Sequence, residues 1–192
     1  MQISEETRVV INLLSKFGAL TIDQIAKMLD GSPHDAKRMI AFMCNARMIQ
    51  FIDDNYAVLQ NRPSYTPETL YCIWVMLFKI KEDVIYTTRE IRSASKCDDG
   101  TEVCFINRDN VIEYISFVDK DSISKVSFIQ DTFYNKTGIM PGEEEKSRRL
   151  YTFVINDKAV MDVLSRMDLT IPFMVAYVKG ELTSVPEIEF YG

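Results

Sequence analysis

The chain has 192 residues, of which 47% are apolar, enough to fill a sizeable core and to exclude global disorder. Its 28 acidic and 22 basic side chains leave a net charge of −6, which excludes a broad basic coat that grips nucleic acid without regard to sequence. The deficit is uneven, because residues 1–62 hold seven acidic and seven basic side chains while residues 63–192 hold 21 and 15, so any DNA contact is expected in the first third, on a local patch.

The first helix is expected from Ser4 to Phe17. Ser4 is a good cap, and Val9, Val10, Leu13, Leu14 and Phe17 recur at helical spacing. Gly18 stops it. Thr21 caps a second helix, with Gln24 at the capping-box position and Ile22, Ile25, Ala26 and Leu29 facing inward. Gly31 breaks that helix. Ser32 caps a third, and Pro33 takes its first position, where a missing N–H is harmless. Met39, Ile40, Phe42 and Met43 form the buried face of this third helix.

After Arg47 the period changes. Gln50-Phe51-Ile52 and Tyr56-Ala57-Val58-Leu59 read as two strands around the turn cluster Asp53-Asp54-Asn55. Two helices packed at an angle and followed by a hairpin make a helix-turn-helix with a wing, a device that presents one helix to a partner. Asn61-Arg62-Pro63-Ser64 is the expected domain boundary. Thr66 and Pro67 then open a helix that is apolar all round from Leu70 to Phe78. Such a helix must be buried on most sides, between domains or in a dimer.

Beyond Val84 the expected order is strand (Thr101 to Ile106), strand (Val111 to Phe117), helix (Ser122 to Phe133) and polar loop (Lys136 to Arg148). Strand (Leu150 to Ile155), helix (Lys158 to Met167), strand (Phe173 to Val178) and an edge strand (Ile188 to Tyr191) follow. The predicted class is α+β: a winged helix-turn-helix domain at 1–62, a linking buried helix at 63–82, and an α/β domain at 83–192.

The amino end of the third helix offers Ser32, His34, Lys37 and Arg38. In a major groove such residues reach base edges while flanking cations hold phosphates. Arg47 and Arg62 at the base of the wing add positive charge, and Asp53-Asp54 at its tip oppose it. Double-stranded DNA is therefore the expected partner. The alternative is an adaptor whose winged helix meets only protein. Residues 66–81 or the C-terminal domain are the candidate surfaces for a protein partner or for self-association, with burial of the 66–81 helix inside the chain as the competing account.

Enzyme signatures are missing. There is no Gly-rich phosphate loop, no GxSxG elbow and no HExxH pair. The single histidine leaves no Cys/His zinc site and no convincing triad, and Cys44, Cys72, Cys97 and Cys104 include no CxxC pair. No metal and no cofactor are expected. Charges appear by Glu5 without a following apolar run, and the stretch from Leu70 to Phe78 is too short to cross a bilayer. Neither a signal peptide nor membrane association is expected, and a reducing cytoplasm is the default setting.

The entry Leu20-Thr21-Ile22-Asp23-Gln24-Ile25-Ala26, the downstream Arg38, the hairpin from Ile49 to Leu59 and the following long helix resemble the winged-helix proteins of plasmids and mobile elements, including the replication-relaxation type. The resemblance covers residues 5–60. It implies sequence-specific DNA binding in replication or transcription control. It also implies a second domain related to restriction-endonuclease-like folds, often without the catalytic residues. Such nucleases hold a divalent metal with a (D/E)-x-K carboxylate and lysine on one face of a strand. Asp35-Ala36-Lys37 has that spacing on a helix, and Glu144-Glu145-Lys146 has it in a loop. The expected strands lack it, and the adjacent pairs Asp119-Lys120 and Asp157-Lys158 would point to opposite faces. A nuclease is therefore not expected.

Overall fold

The computed structural model describes residues 3–29, 33–61, 65–80, 82, 84–97, 99–140 and 142–192, without the side chains of 145 and 146. The expected break at Gly31, the cap Ser32, and Arg62, Pro63 and Ser64 of the expected boundary lie outside the described residues.

Helix α1 (Glu5–Phe17) starts where the Ser4 hydroxyl accepts from the Thr7 amide, and it ends at Gly18, whose φ of 93° suits glycine. Strand β1 (Ala19–Thr21) follows at once. Three residues between two helix signals carry no strand period, and only pairing with a distant strand makes them extended. Helix α2 (Ile22–Met28) opens on the complete capping box of Thr21 and Gln24. Helix α3 (Pro33–Asn45) leads into β2 (Ile49–Ile52) and β3 (Tyr56–Leu59). These strands form an antiparallel sheet in the order β1-β3-β2, with Leu20 opposite Ala57 and Phe51 opposite Ala57 on the other side.

Helix α4 (Pro67–Lys79) starts after Thr66, which makes no side-chain cap; its hydroxyl pairs with that of Thr69 at 2.7 Å instead. Eight of its residues are buried, among them Leu70, Ile73, Trp74 and Leu77. They belong to one apolar cluster that runs from α1, α2 and α3 through α4 into the second sheet. The Trp74 ring is fully buried, and its indole N–H donates to the Leu182 carbonyl at 3.3 Å. Most of the apolar surface of α4 is thus covered within the chain.

A short 3-10 turn (Ile85–Thr87) and α5 (Arg89–Ser93) lead to β4 (Val103–Ile106), β5 (Ile112–Phe117), α6 (Ser124–Thr137), β6 (Arg149–Ile155), α7 (Lys158–Leu164), β7 (Phe173–Lys179) and β8 (Glu187–Tyr191). The sheet runs β4-β5-β6-β7-β8, with β5, β6 and β7 parallel and both outer strands antiparallel to their neighbours. The parallel steps need crossovers, which α6 and α7 supply. Alternation sorts the two faces. Ile115, Phe117, Val154, Ala176 and Val178 join the α4 cluster. Tyr114, Tyr151, Phe153 and Val175 pack with Val126, Ile129 and Phe133 of α6 and with Val160 and Leu164 of α7.

Helix α6 runs to Thr137, four residues beyond the expected end, and stops at Gly138 in the left-handed region. Part of the expected polar loop is a 3-10 turn at Glu144–Ser147, and α7 ends at Leu164, three residues early. Cys97 and Cys104 form a disulfide with Cα atoms 6.3 Å apart, while Cys44 and Cys72 are free. The spacing of seven gave no hint of this. Mutual backbone hydrogen bonds between Ser95 and Cys104 fold the loop after α5 back onto β4 and bring the sulfurs together. Among the described residues, no helix is long and apolar enough to cross a membrane.

Candidate nucleic-acid interface

Helix α3 buries Ala36, Ile40 and Met43, which recur at i, i+4 and i+7 and hold it against the core by a single face. At about 3.6 residues per turn the opposite face carries His34, Arg38, Ala41 and Asn45, all exposed. The expected inward position of Phe42 is corrected: its side chain is 38% exposed, because it falls on the flank between the two faces.

Lys37 and Arg38 are neighbours in sequence but line different grooves. Lys37 stands on the flank that faces the β2–β3 hairpin, in a groove with Ile22, Ala41, Cys44, Phe51 and Asp54. Arg38 lines the groove on the α1 side, with Glu6, Asp35, Phe42, Val84 and Tyr86. A rotation of one residue around the helix is enough to separate them. Arg47 stands apart from both. It takes φ 54° in the connection between α3 and β2 and lines a third groove with Ile11, Met48 and Leu59 at the base of the hairpin. The structure therefore brings together His34, Lys37 and Arg38, and it leaves Arg47 at the other end of the unit. Ser32 and Arg62 lie outside the described residues.

The hairpin tip is acidic. Asp53 and Asp54 take φ 51° and 56°, the left-handed pair that a tight turn between twisted strands requires. The Asn55 side chain fixes this turn by donating to the Asp53 carbonyl at 2.8 Å. Two other cations of the first third are engaged internally. Lys16 donates to the Ala94 carbonyl at 2.6 Å, and Lys27 sits 4.9 Å from the centre of the Phe78 ring. Lys37 and Arg38 on α3, Arg8 on α1 and Arg47 after α3 are the exposed cations among the described residues of the first third. Burial raises the Cys44 thiol above its ordinary value, so it stays protonated at neutral pH beside Lys37.

A second polar cluster lies where α4, α5 and the β4–β5 turn meet, around a cavity of about 160 Å³. Lys79 is ion-paired with Glu113, both nearly buried, and donates to the Thr152 hydroxyl at 3.0 Å. Asn107 donates to the other Glu113 oxygen at 2.9 Å. Glu90 is met by Arg108 at 3.4 Å. Glu113 and Glu90 thus each have a cationic partner from the chain. Of the two (D/E)-x-K spacings, the first lies on α3, and in the second Glu144 accepts from the Tyr134 hydroxyl and the Gly142 amide. Among the described residues, no three His, Cys, Asp or Glu side chains stand together as a metal site.

Sequence reasoning missed Ala41, Asn45 and Phe51 as parts of the α3 surface. The first two were accessible from the helical period counted from His34; the third depends on how the hairpin folds back. No family model, curated protein or solved structure matches the chain.

Proposed function

We propose that residues 5–59 are a winged helix-turn-helix and that α3 is its recognition helix, binding duplex DNA in replication or transcription control. The observation that carries this reading is the mounting of α3. One face, through Ala36, Ile40 and Met43, fixes it to the core, while His34, Arg38, Ala41 and Asn45 form a continuous exposed stripe. The order α1-β1-α2-α3-β2-β3 and the three-stranded sheet agree with that architecture. A helix fits the major groove, and cations on its two flanks reach the two phosphate backbones that border it. Lys37 and Arg38 line the grooves on either side of α3.

The five-stranded part contributes α4 as the anchor of the helical unit and serves dimerisation or partner docking. The likeness to the replication-relaxation type supports a setting in a plasmid or integrated element, with a restriction-endonuclease-like second part that has no catalytic site. A second reading, a protein adaptor, is favoured by one observation: Asp53 and Asp54 form the hairpin tip and would repel a phosphate backbone. Duplex binding measured against salt separates the two. Salt-dependent binding weakened by Lys37→Ala and Arg38→Ala supports DNA. Absence of binding at low salt, with partner capture that survives both substitutions, supports the adaptor.

A further inference from the structure

The two outer strands of the five-stranded sheet end it differently. The outer edge of β4 is partly taken, because Ser95 and Cys104 exchange backbone hydrogen bonds there. Strand β8 has β7 as its one neighbour among the described residues, so alternate N–H and C=O groups along it point outward. The turn that leads into β8 is fixed from inside, where the Leu182 carbonyl accepts from the Trp74 indole. Pro186, buried and without an N–H, bounds the ladder at that end.

Alternation gives β8 two unlike faces. Ile188 and Phe190 lie opposite Val178 and Ala176, on the α4 side of the sheet. Glu187, Glu189 and Tyr191 lie opposite Lys179, Tyr177 and Val175, on the side of α6 and α7. Lys179 pairs with both glutamates, and Lys158 stands 5.1 Å from the centre of the Tyr177 ring. Both cations lie inward of β8, so the flank turned to the open edge is acidic. Phe190 and Tyr191 are 41% and 39% exposed, one on each face.

Resting on the reading of the five-stranded part as a docking unit, we propose that β8 takes up an extended segment of a partner protein as an added outer strand, and that this segment alternates basic and apolar residues. Main-chain hydrogen bonds hold such a strand and its side chains select it. The apolar residues continue the row of Ile188 and Phe190. The cations stand beside Glu187 and Glu189 and over the Tyr191 ring. A second copy of β8 fits less well. In the antiparallel register that pairs the whole strand, Glu189 faces Glu189, and in the parallel one Glu187 also faces its counterpart.

The probe is a short, end-capped, fluorescent peptide that repeats Lys-Val, added to the full chain. Saturable binding is expected, with new amide protection in hydrogen exchange along β8. A peptide of the same composition with its lysines and valines in two blocks binds about tenfold more weakly, the loss of two cross-strand pairs. A peptide N-methylated at every residue keeps its side chains, loses its N–H groups and does not bind. Glu187→Lys, at an exposed side chain, keeps the melting temperature, weakens the Lys-Val repeat about fivefold and favours a Glu-Val repeat instead. Equal binding of the block peptide shows attraction to net charge alone and overturns the proposal, as does unchanged binding to Glu187→Lys. Absence of peptide binding overturns it too. Sedimentation then separates the two readings: a dimer that Glu187→Lys alters gives the edge to a second copy and leaves the docking role intact, whereas a monomer removes that support from the docking role as well.

Discussion

Gln24 donates from Nε2 to the main-chain carbonyl of Leu70 at 2.9 Å while its Oε1 accepts from the Thr21 amide at 3.0 Å. One fully buried amide thus closes the capping box of α2 and ties that helix to α4. Gln24→Glu keeps the acceptor and removes the donor, leaving a buried carboxylate against a carbonyl. It is expected to destabilise the chain by several kcal/mol, about 3 or more, against about 1 kcal/mol for Thr21→Ala. Urea unfolding of both variants checks the ranking, and equal losses would sink the idea that the Leu70 contact matters.

Lys79 and Glu113 form a buried pair on the α4 face of the sheet. Lys79→Met leaves Glu113 without its cation and is expected to lose about 3–5 kcal/mol. Adding Glu113→Gln, which keeps an acceptor for Asn107, recovers part of that loss. A double-mutant cycle by chemical denaturation measures the coupling. Additive losses would mean that the pair acts through packing alone.

On α3, Lys37→Ala and Arg38→Ala should each lower the salt dependence of duplex binding by about one counterion. Gel shifts or anisotropy across a salt series supply the slope. An unchanged slope for either variant removes that side chain from the interface.

The hairpin tip makes a prediction of opposite sign. Asp53→Asn and Asp54→Asn remove charge, and asparagine accepts the left-handed conformations of 51° and 56°. Duplex affinity should rise severalfold with little change in melting temperature. A fall in affinity, or a gain that persists at high salt, contradicts an electrostatic role for the tip.

Tyr151 is pushed up to about 12, first by burial and then by the neighbouring Tyr114 and Asp99. The fold favours the neutral phenol, so its contribution to stability is fully present below the unfolded value of about 10 and is lost as pH rises towards the folded value. Between these limits the wild type should lose stability faster than Tyr151→Phe. Urea midpoints at a series of alkaline pH values test this, and parallel curves for the two proteins would refute it.

Much of the local structure was legible in the chain because caps and periods act over a few residues. Ser4 and Gly18 bound α1, Thr21 with Gln24 opens α2, and the order of strands and helices beyond Val84 follows the apolar pattern. The candidate helix was legible too, in the run from Pro33 to Asn45. Its surface was less so. Phe42 reads as apolar and therefore inward, yet the helix has room for only one buried face, already taken by Ala36, Ile40 and Met43.

By itself, then, the sequence determined most helix caps and the apolar periods of the main elements, and that the first 62 residues are charge-neutral. Caps and periods depend on neighbours within one or two turns. Tertiary structure alone decided that Lys37 and Arg38 face different grooves, that Gln24 reaches Leu70, that Lys79 meets Glu113 and that Cys97 joins Cys104. Each of these depends on how separate elements rotate and dock. Packing sets that by filling space, and no short window of sequence contains it.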